Sequence, residues 1–461
     1  MVRRTVRLGC GAAGEPDRPA LARQLVERGD VQYVCFDTLA ERTLASAQLR
    51  RAHDPEVGYD LYLRERVGML LAPAAHAGVR LLGNMGAANP SAAGRVLLEM
   101  ARQAGLPQLS IAVVTGDDIV DGVRAGELPL QLWDPDDRID DLRERLVSAN
   151  VYLGFGPVLD ALREGADVVV TGRGADVAPY MAALVHHFDW DPTDHELLAR
   201  AAVVGHLLEC GRCVTGTCFE EPAFGRRVPD PAHVSMPIAE VEDDGTAVIT
   251  KVPATGGRVS RATCGEQLIH ETGDPARYLT PDVTLDMSRV RLEEIGSDRV
   301  RVSGARGGPP PETLKVLLGV DEGWIAEGEV SFAGLGAVDK ANAMARIVLD
   351  RVEAAGVQAL DRRHDVIGLD SVLGPATPSA PEPFDVRLRI ACRVRTREEA
   401  AAFSMECQDL WWAPGVGGGG VRTSTRAVLG MHSASIAREL VDATIAVERL
   451  SPEPEAIRAA G

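Results

Sequence analysis

Short apolar runs alternate with amphipathic stretches through the first part of the chain. The run at 168–170 is β-branched and contains no polar residue, which is typical of a strand that helices cover on both faces. Comparable runs predict strands at 5–8, 31–36, 79–82 and 111–114, and helical sequence follows each of them. The repeated order of strand, turn and helix predicts an α/β fold with a doubly wound, mostly parallel sheet.

The second half of the chain has a different pattern. Residues 215–290 are rich in turns and predict a small β-rich cap on a first domain that spans 1–306. The glycines and prolines of 307–311 predict a stiff linker, because proline fixes φ. The segments within 312–450 follow the order β, α, β, β, α, β, with the second helix at 396–411, and predict a C-terminal ferredoxin-like α+β domain.

Composition narrows the classes of function. The chain has 461 residues and a formal net charge of −18, which argues against nucleic acid or an acidic membrane as a partner. Neither a signal peptide nor a membrane span is indicated, so we expect a cytoplasmic protein. Lysines stand only at 251, 315 and 340, which leaves few candidates for a Schiff base. The eight cysteines are scattered, as expected for reduced thiols.

The turns after the predicted strands are candidates for a ligand site. In open α/β sheets ligands bind outside the carboxyl ends of the strands, where helix N-termini present free N–H groups. The first glycine turn is not a clean dinucleotide fingerprint, so no cofactor is predicted. We expect a small-molecule substrate to contact these turns and the cap through Gly11, Gly14, Asp17, Arg18, Asn84, Gly86, Thr115, Asp117, Thr171, Gly172, Arg173, Thr255, Gly256 and Gly257.

Three side chains are candidates for proton transfer. His206 and Glu209 are three residues apart on a predicted helix and therefore share a face. Asp176 stands close to Arg173 at the end of a buried strand, where it either caps the next helix or acts on substrate. We expect His206 or Asp176 to be the base, Arg173 and Arg18 to anchor the substrate, and backbone N–H groups near Gly172 or Gly86 to polarise a carbonyl.

A cluster of cysteines supports a different interpretation. Cys210 and Cys213 form a CxxC motif, and Cys218 follows it. With His206 as a fourth ligand these thiols would suit zinc, and without a metal they would suit a redox pair. A second cysteine pair at regular spacing is missing, so no metal is predicted in the leading interpretation.

Several phrases of the sequence resemble the acyclic terpene utilization AtuA family of bacterial proteins. They stand in the family's order and cover most of residues 5–310. The phrases are GAAGEPDRP (11–19), LLGNMGAANP (81–90), VVTGDDI (113–119), NVYLGFGPVLDALREGADVVVTGRGAD (150–176), VGHLLECG (204–211), ITKVPATGGRVS (249–260) and GDPARYLTPDV (273–283). The resemblance implies a role in the catabolism of branched acyclic compounds, beside enzymes that act on acyl-CoA thioesters.

These observations lead to one expected function and two alternatives. We expect a lyase or isomerase of the hydratase or dehydratase type that acts on a branched carboxylic acid or its CoA thioester, in catabolism or specialised metabolism. The alternatives are a non-catalytic subunit that binds an acyl-CoA or a nucleotide, and a zinc or redox protein that uses the cysteines of 210–218. We also expect a homo-oligomer, because open sheet edges often pair, and partner enzymes of an acyl-CoA pathway.

Overall fold

Strands and helices alternate along the first two hundred residues of the chain. The computed structural model describes residues 4–378, 381–409 and 418–451. Its strands are β1 (Thr5–Ala12), β2 (Tyr33–Phe36), β3 (Arg80–Gly83), β4 (Ile111–Thr115), β5 (Gln131–Leu132), β6 (Leu146–Val151), β7 (Val168–Thr171), β8 (Pro237–Glu242), β9 (Ala247–Lys251), β10 (Tyr278–Leu279), β11 (Thr284–Asp286), β12 (Arg291–Gly296), β13 (Arg299–Ser303), β14 (Arg306–Gly308), β15 (Thr313–Ala333), β16 (Asp361–Ile367), β17 (Asp385–Val394), β18 (Gly418–Ala437) and β19 (Ala446–Leu450).

The helices occupy most of the segments between the early strands. They are α1 (Pro19–Arg28), α2 (Glu41–His53), α3 (Leu63–Gly68), α4 (Leu71–Ala77), α5 (Pro90–Gln103), α6 (Val120–Ala125), α7 (Ile139–Arg143), α8 (Gly156–Arg163), α9 (Ala178–Phe188), α10 (His195–Glu209), α11 (Arg261–Ile269), α12 (Ala337–Ala354) and α13 (Arg397–Gln408). Within the described ranges, no helix is long and apolar enough to cross a bilayer.

Ten of the described strands form one mixed sheet. Its order is β12-β13-β9-β8-β1-β2-β3-β7-β4-β19. The four pairs among β1, β2, β3, β7 and β4 are parallel, whereas the five pairs at the two ends are antiparallel. The expected α/β class is therefore confirmed, but the prediction of a mostly parallel sheet is wrong because strands distant in sequence extend both edges.

The predicted cap contributes strands to the sheet. β8 pairs with β1 from Thr5 to Gly9, and β9 and β13 continue the same edge. Without them, the N–H and C=O groups along the free side of β1 would lack partners. For β8 and β9, which lie within 215–290, the prediction of a cap lying over the sheet is therefore wrong. β10 and β11, also within 215–290, pair with β14 in a separate small sheet.

Helices cover the parallel strands with apolar side chains. One continuous core joins the strands to α1, α3, α4 and α5, through residues such as Leu25, Leu63, Leu71 and Leu97. Asn89 begins α5 by accepting a hydrogen bond from the Ala92 N–H at 3.2 Å. All four residues of β7 are buried, as expected for a strand in the interior of a covered sheet.

The chain divides into two compact units. The first contains the residues up to Gly319 together with those from Met431 on, and the second is Val320–Gly430. The second unit contains the expected helix and strand order, with the sheet order β16-β17-β15-β18 and its own apolar core. It is shorter than the expected 312–450, because β19 returns to pair with β4. The end of the helix predicted at 396–411 lies outside the described residues.

Candidate active site

The carboxyl ends of the parallel strands meet at one edge of the main sheet. Asn84, after β3, donates from Nδ2 to Asp37 Oδ1 at 2.5 Å and accepts from the Thr38 N–H at 2.7 Å. The Gly86 N–H donates to the Thr171 carbonyl at 2.9 Å. These contacts confirm that the predicted turns lie together.

Asp117 ties two of these turns to each other. Its Oδ2 accepts from the Arg173 backbone N–H and from Asn150 Nδ2, each at 2.8 Å. Burial raises the pKa of Asp117 to about 6, although both hydrogen bonds oppose the rise. A side chain at Gly172 would overlap the Asp117 carboxylate, which explains the glycine there. Asp117 is therefore buried at the end of β4, where it holds the Arg173 backbone and the Asn150 side chain.

Arg173 is 1% exposed, and its guanidinium interacts with groups inside the protein. Nη1 donates to the Leu39 carbonyl at 2.7 Å, Nε donates to the Gly174 carbonyl at 2.8 Å, and Nη2 pairs with Asp176 Oδ1. The guanidinium also lies over the ring of Tyr152, 4.2 Å from its centroid. The expected substrate anchor is thus turned inward, where it orients Asp176 and Tyr152.

A cavity of about 550 Å³ opens beside this edge, within the first unit. It is bounded by the turn after β7, the end of α10, the segment around β10 and the start of β15. Its ionisable side chains are Glu41, Asp176, Glu209, Glu271, Asp274, Arg277, Tyr278 and Lys315. Trp133, Tyr152, Val177, Leu279 and Leu314 add aromatic and aliphatic surface. Of the residues predicted from sequence, Asp176 and Glu209 line this cavity.

Glu209, the last residue of α10, is a buried carboxyl on the cavity wall. Oε2 accepts from Cys210 Sγ at 3.0 Å and Oε1 accepts from Gln267 Nε2 at 3.3 Å. Burial, with a further contribution from the negative charge of Asp37, raises the pKa of Glu209 to about 8. Most Glu209 side chains are therefore protonated at neutral pH and can act as proton donors.

His206 lies behind Glu209 and is absent from the cavity wall. It is 1% exposed, and its Nε2 lies 3.2 Å from the Leu268 carbonyl, which can only accept a hydrogen bond. Nδ1 therefore carries a lone pair in the neutral ring and lies 3.6 Å from Glu209 Oε1. Burial lowers the pKa of His206, which favours that neutral ring. The structure thus places Glu209, rather than His206, where a substrate can reach it.

Lys315 is the main residue that sequence reasoning missed. Its Nζ lies 4.5 Å from the ring centroid of Tyr152, 5.9 Å from that of Trp133 and 3.5 Å from Glu41 Oε1. Burial would raise the pKa of Glu41, but its own backbone N–H, Lys315 and the hydroxyl of Tyr152 lower it overall. The one signal in the sequence was the scarcity of lysine, and position 315 falls after the predicted linker.

The remaining predicted residues lie outside the cavity wall. Asp17 closes the first turn by accepting from the Ala13 N–H at 2.8 Å and from Arg212 Nη2 at 3.0 Å. Thr255 donates to the Val252 carbonyl at 2.6 Å. Arg18 is exposed before α1. The other residues absent from the wall are Gly11, Gly14, Asn84, Gly86, Thr115, Thr171, Gly172, Gly256 and Gly257.

The cysteines after α10 were the candidate metal ligands. In the part of the chain that the structure describes, no group of three or more His, Cys, Asp or Glu side chains is placed to hold a metal ion. Cys210 instead contacts Glu209, and Cys213 contacts Cys218 with the two sulfur atoms 2.6 Å apart.

Comparison with known proteins identifies a family. Among solved structures, the chain has a weak likeness to a homoserine dehydrogenase from Thiobacillus denitrificans, with 12% sequence identity, a TM-score of 0.17, and coverage of 91% of this chain and 96% of that one. No curated protein matches the chain. The model of the acyclic terpene utilisation family protein AtuA matches residues 6–447, which is nearly the whole sequence. The chain therefore belongs to the acyclic terpene utilisation AtuA family.

Proposed function

We propose that the cavity is the active site of a lyase or isomerase of the hydratase or dehydratase type. Its substrate would be a branched carboxylic acid or the CoA thioester of one. The observation that carries this proposal is Glu209, a buried carboxyl with a pKa of about 8 on the cavity wall. A carboxyl group that is still protonated near neutral pH is suited to general acid catalysis, and such groups concentrate at active sites.

Elimination of water needs an acid and a base. Protonated Glu209 would give its proton to the leaving hydroxyl, and Asp176 would take the proton next to the carbonyl. The buried guanidinium of Arg173 holds the Asp176 carboxylate at the cavity wall. The reverse sequence of proton transfers would add water to the double bond.

The chemistry of the wall supports a substrate with an apolar body and an acidic end. The aromatic and aliphatic side chains would contact the branched carbon skeleton. The cations of Lys315 and Arg277 on the same wall would bind a carboxylate, or the carbonyl oxygen of a thioester. A cavity of about 550 Å³ falls within the range of about 300–1,000 Å³ typical of small-molecule sites.

The finer description of the fold is part of the proposal. We propose that the parallel strands and their helices form a doubly wound arrangement, which would place the ligand at the carboxyl edge. We propose also that Val320–Gly430 is a ferredoxin-like domain. The sheet order β16-β17-β15-β18 and the positions of α12 and α13 support it.

Turnover by two variants tests the function. The unmodified chain should interconvert 3-hydroxy-3-methylbutanoate and 3-methyl-2-butenoate, or their CoA thioesters, measured by absorbance of the conjugated double bond. Glu209→Gln should lower kcat by about 10²–10⁴-fold, because the acid is lost. Glu196→Gln, an exposed position in the first turn of the same helix, serves as the matched control.

Three results would contradict the proposal. Equal turnover by Glu209→Gln and the unmodified chain would remove Glu209 as the acid. Saturable binding of these compounds without turnover would instead favour a non-catalytic binding subunit. Absence of both binding and turnover, in calorimetry and absorbance assays of these four compounds, would refute the assigned substrate class.

A further inference from the structure

The loop after α10 brings together two thiols that the CxxC motif does not pair. Cys213 Sγ lies 2.6 Å from Cys218 Sγ, whereas Cys210 Sγ donates to Glu209 Oε2 at 3.0 Å. The pairing expected from the motif, Cys210 with Cys213, is therefore replaced by a pairing of two cysteines five positions apart.

Backbone geometry explains the pairing. Gly216 has a φ of +113°, which favours glycine, and turns the chain back on itself. The Gly216 N–H donates to the Cys213 carbonyl at 3.0 Å, and the Thr217 N–H donates to the Arg212 carbonyl at 3.1 Å. These bonds hold Cys218 against Cys213 and leave Cys210 at the end of the helix.

Solvent reaches one thiol of the pair. Cys218 is exposed and Cys213 is partly buried, whereas the thiols at 10, 35, 264, 392 and 407 are buried. Burial, with the neighbouring Cys218 sulfur, raises the pKa of Cys213 to about 12. An oxidant in solution would therefore meet Cys218 first, and Cys213 would be the second thiol to react.

We propose that Cys213 and Cys218 form a reversible disulfide when a hydroperoxide oxidises the protein. The Cys218 thiolate attacks the O–O bond of hydrogen peroxide, which yields a sulfenic acid and, after protonation, one water. The Cys213 sulfur then attacks the Cys218 sulfur, loses its proton and displaces the second water as the S–S bond forms. Two molecules of a small thiol such as glutathione reverse the reaction and become one disulfide.

The proposed disulfide between Cys213 and Cys218 would form close in sequence to Glu209, a residue of the proposed active site. Three residues separate Glu209 from Cys213, and one of them, Cys210, contacts the Glu209 carboxylate. The disulfide would close a loop of six residues that begins three positions after Cys210. The chemistry of the pair does not depend on the proposed function, and its test needs no substrate.

Peptide mass spectrometry of the full chain tests the proposal. After treatment with hydrogen peroxide and alkylation of the remaining thiols, a digest should contain one peptide in which Cys213 and Cys218 are joined, lighter by two hydrogens. Dithiothreitol should restore both thiols. Cys210→Ser should form the same bond, whereas Cys213→Ser should leave Cys218 as a sulfenic acid that dimedone captures.

The alternative outcomes are distinct. A bond between Cys210 and Cys213 would overturn the assignment of the pair. Persistence of both thiols in peroxide, while an exposed cysteine placed elsewhere by Ser288→Cys is oxidised, would overturn the proposal as a whole. Circular dichroism of each variant shows whether it is folded, so loss of the bond by unfolding is recognised.

Discussion

Glu209→Gln should change how the stability of the protein depends on pH. The ordinary pKa of a glutamic acid is 4.5, and burial raises that of Glu209 to about 8. Each pH unit between these values corresponds to about 1.4 kcal/mol, so deprotonation of Glu209 costs the folded state about 5 kcal/mol. Between pH 4.5 and 8 the folded chain binds more protons than the unfolded chain, and stability must fall as the pH rises.

Glutamine keeps the size of the side chain but does not titrate. We therefore expect the stability of the unmodified chain, relative to Glu209→Gln, to be greatest below pH 4.5 and to decrease by about 5 kcal/mol by pH 9. Asp117 and Asp282, whose pKa values burial raises to about 6, titrate in both chains and cancel in the difference.

Urea unfolding followed by tryptophan fluorescence measures this difference at half-unit intervals from pH 4.5 to 9. A difference between the two chains that stays constant over this range would refute the assignment of a protonated Glu209. An ionised carboxyl stabilised in the fold would also give a constant difference here, because its effect would change only below about pH 4.5. Glu196→Gln, exposed on the same helix, should give a constant difference.

The other predictions concern the residues around this carboxyl. Arg173→Met should lower the free energy of unfolding by about 3–5 kcal/mol, because the substitution leaves buried hydrogen-bond acceptors unpaired. Arg18→Met, at an exposed site, should change the free energy of unfolding little. Equal effects of the two substitutions in urea unfolding would contradict the reasoning. Lys315→Met should raise the KM of the branched acid about tenfold with a smaller effect on kcat, since one ionic contact is worth about 1.4 kcal/mol; an unchanged KM would remove Lys315 as the anchor. Gly172→Ala should destabilise the protein by about 1–3 kcal/mol, because the added methyl overlaps Asp117, and an unaltered Tm would show that the turn can shift.

The local pattern of apolar and polar residues was sufficient to predict individual strands and helices. The apolar run at 168–170 became β7 and the run at 111–114 became β4, and helices α9 and α6 follow them as expected. Such elements follow from residue periodicity and from turn residues within a few positions. The edge where the strands end was predictable for the same reason, since parallel strands point the same way.

Partners distant in sequence were decided by the tertiary structure. β8 pairs with β1 across more than two hundred residues, and β19 pairs with β4 across more than three hundred. Nothing in the local pattern of an amphipathic strand specifies its neighbour, because the hydrogen-bonding groups of all strands are the same. The mixture of parallel and antiparallel pairs in the sheet therefore could not be predicted from the local sequence pattern.

The candidate site also has features that the sequence predicted and features that only the tertiary structure decided. The sequence by itself determined that Glu209 shares a helix face with His206 and that Asp176 follows a buried strand beside Arg173. Only the tertiary structure decided that Arg173 is turned inward, that Lys315 reaches the cavity and that Glu209 stays protonated at neutral pH. The physical reason is that desolvation and pairing of charges depend on which distant segments exclude water from a group, and spacing along the chain does not contain that information.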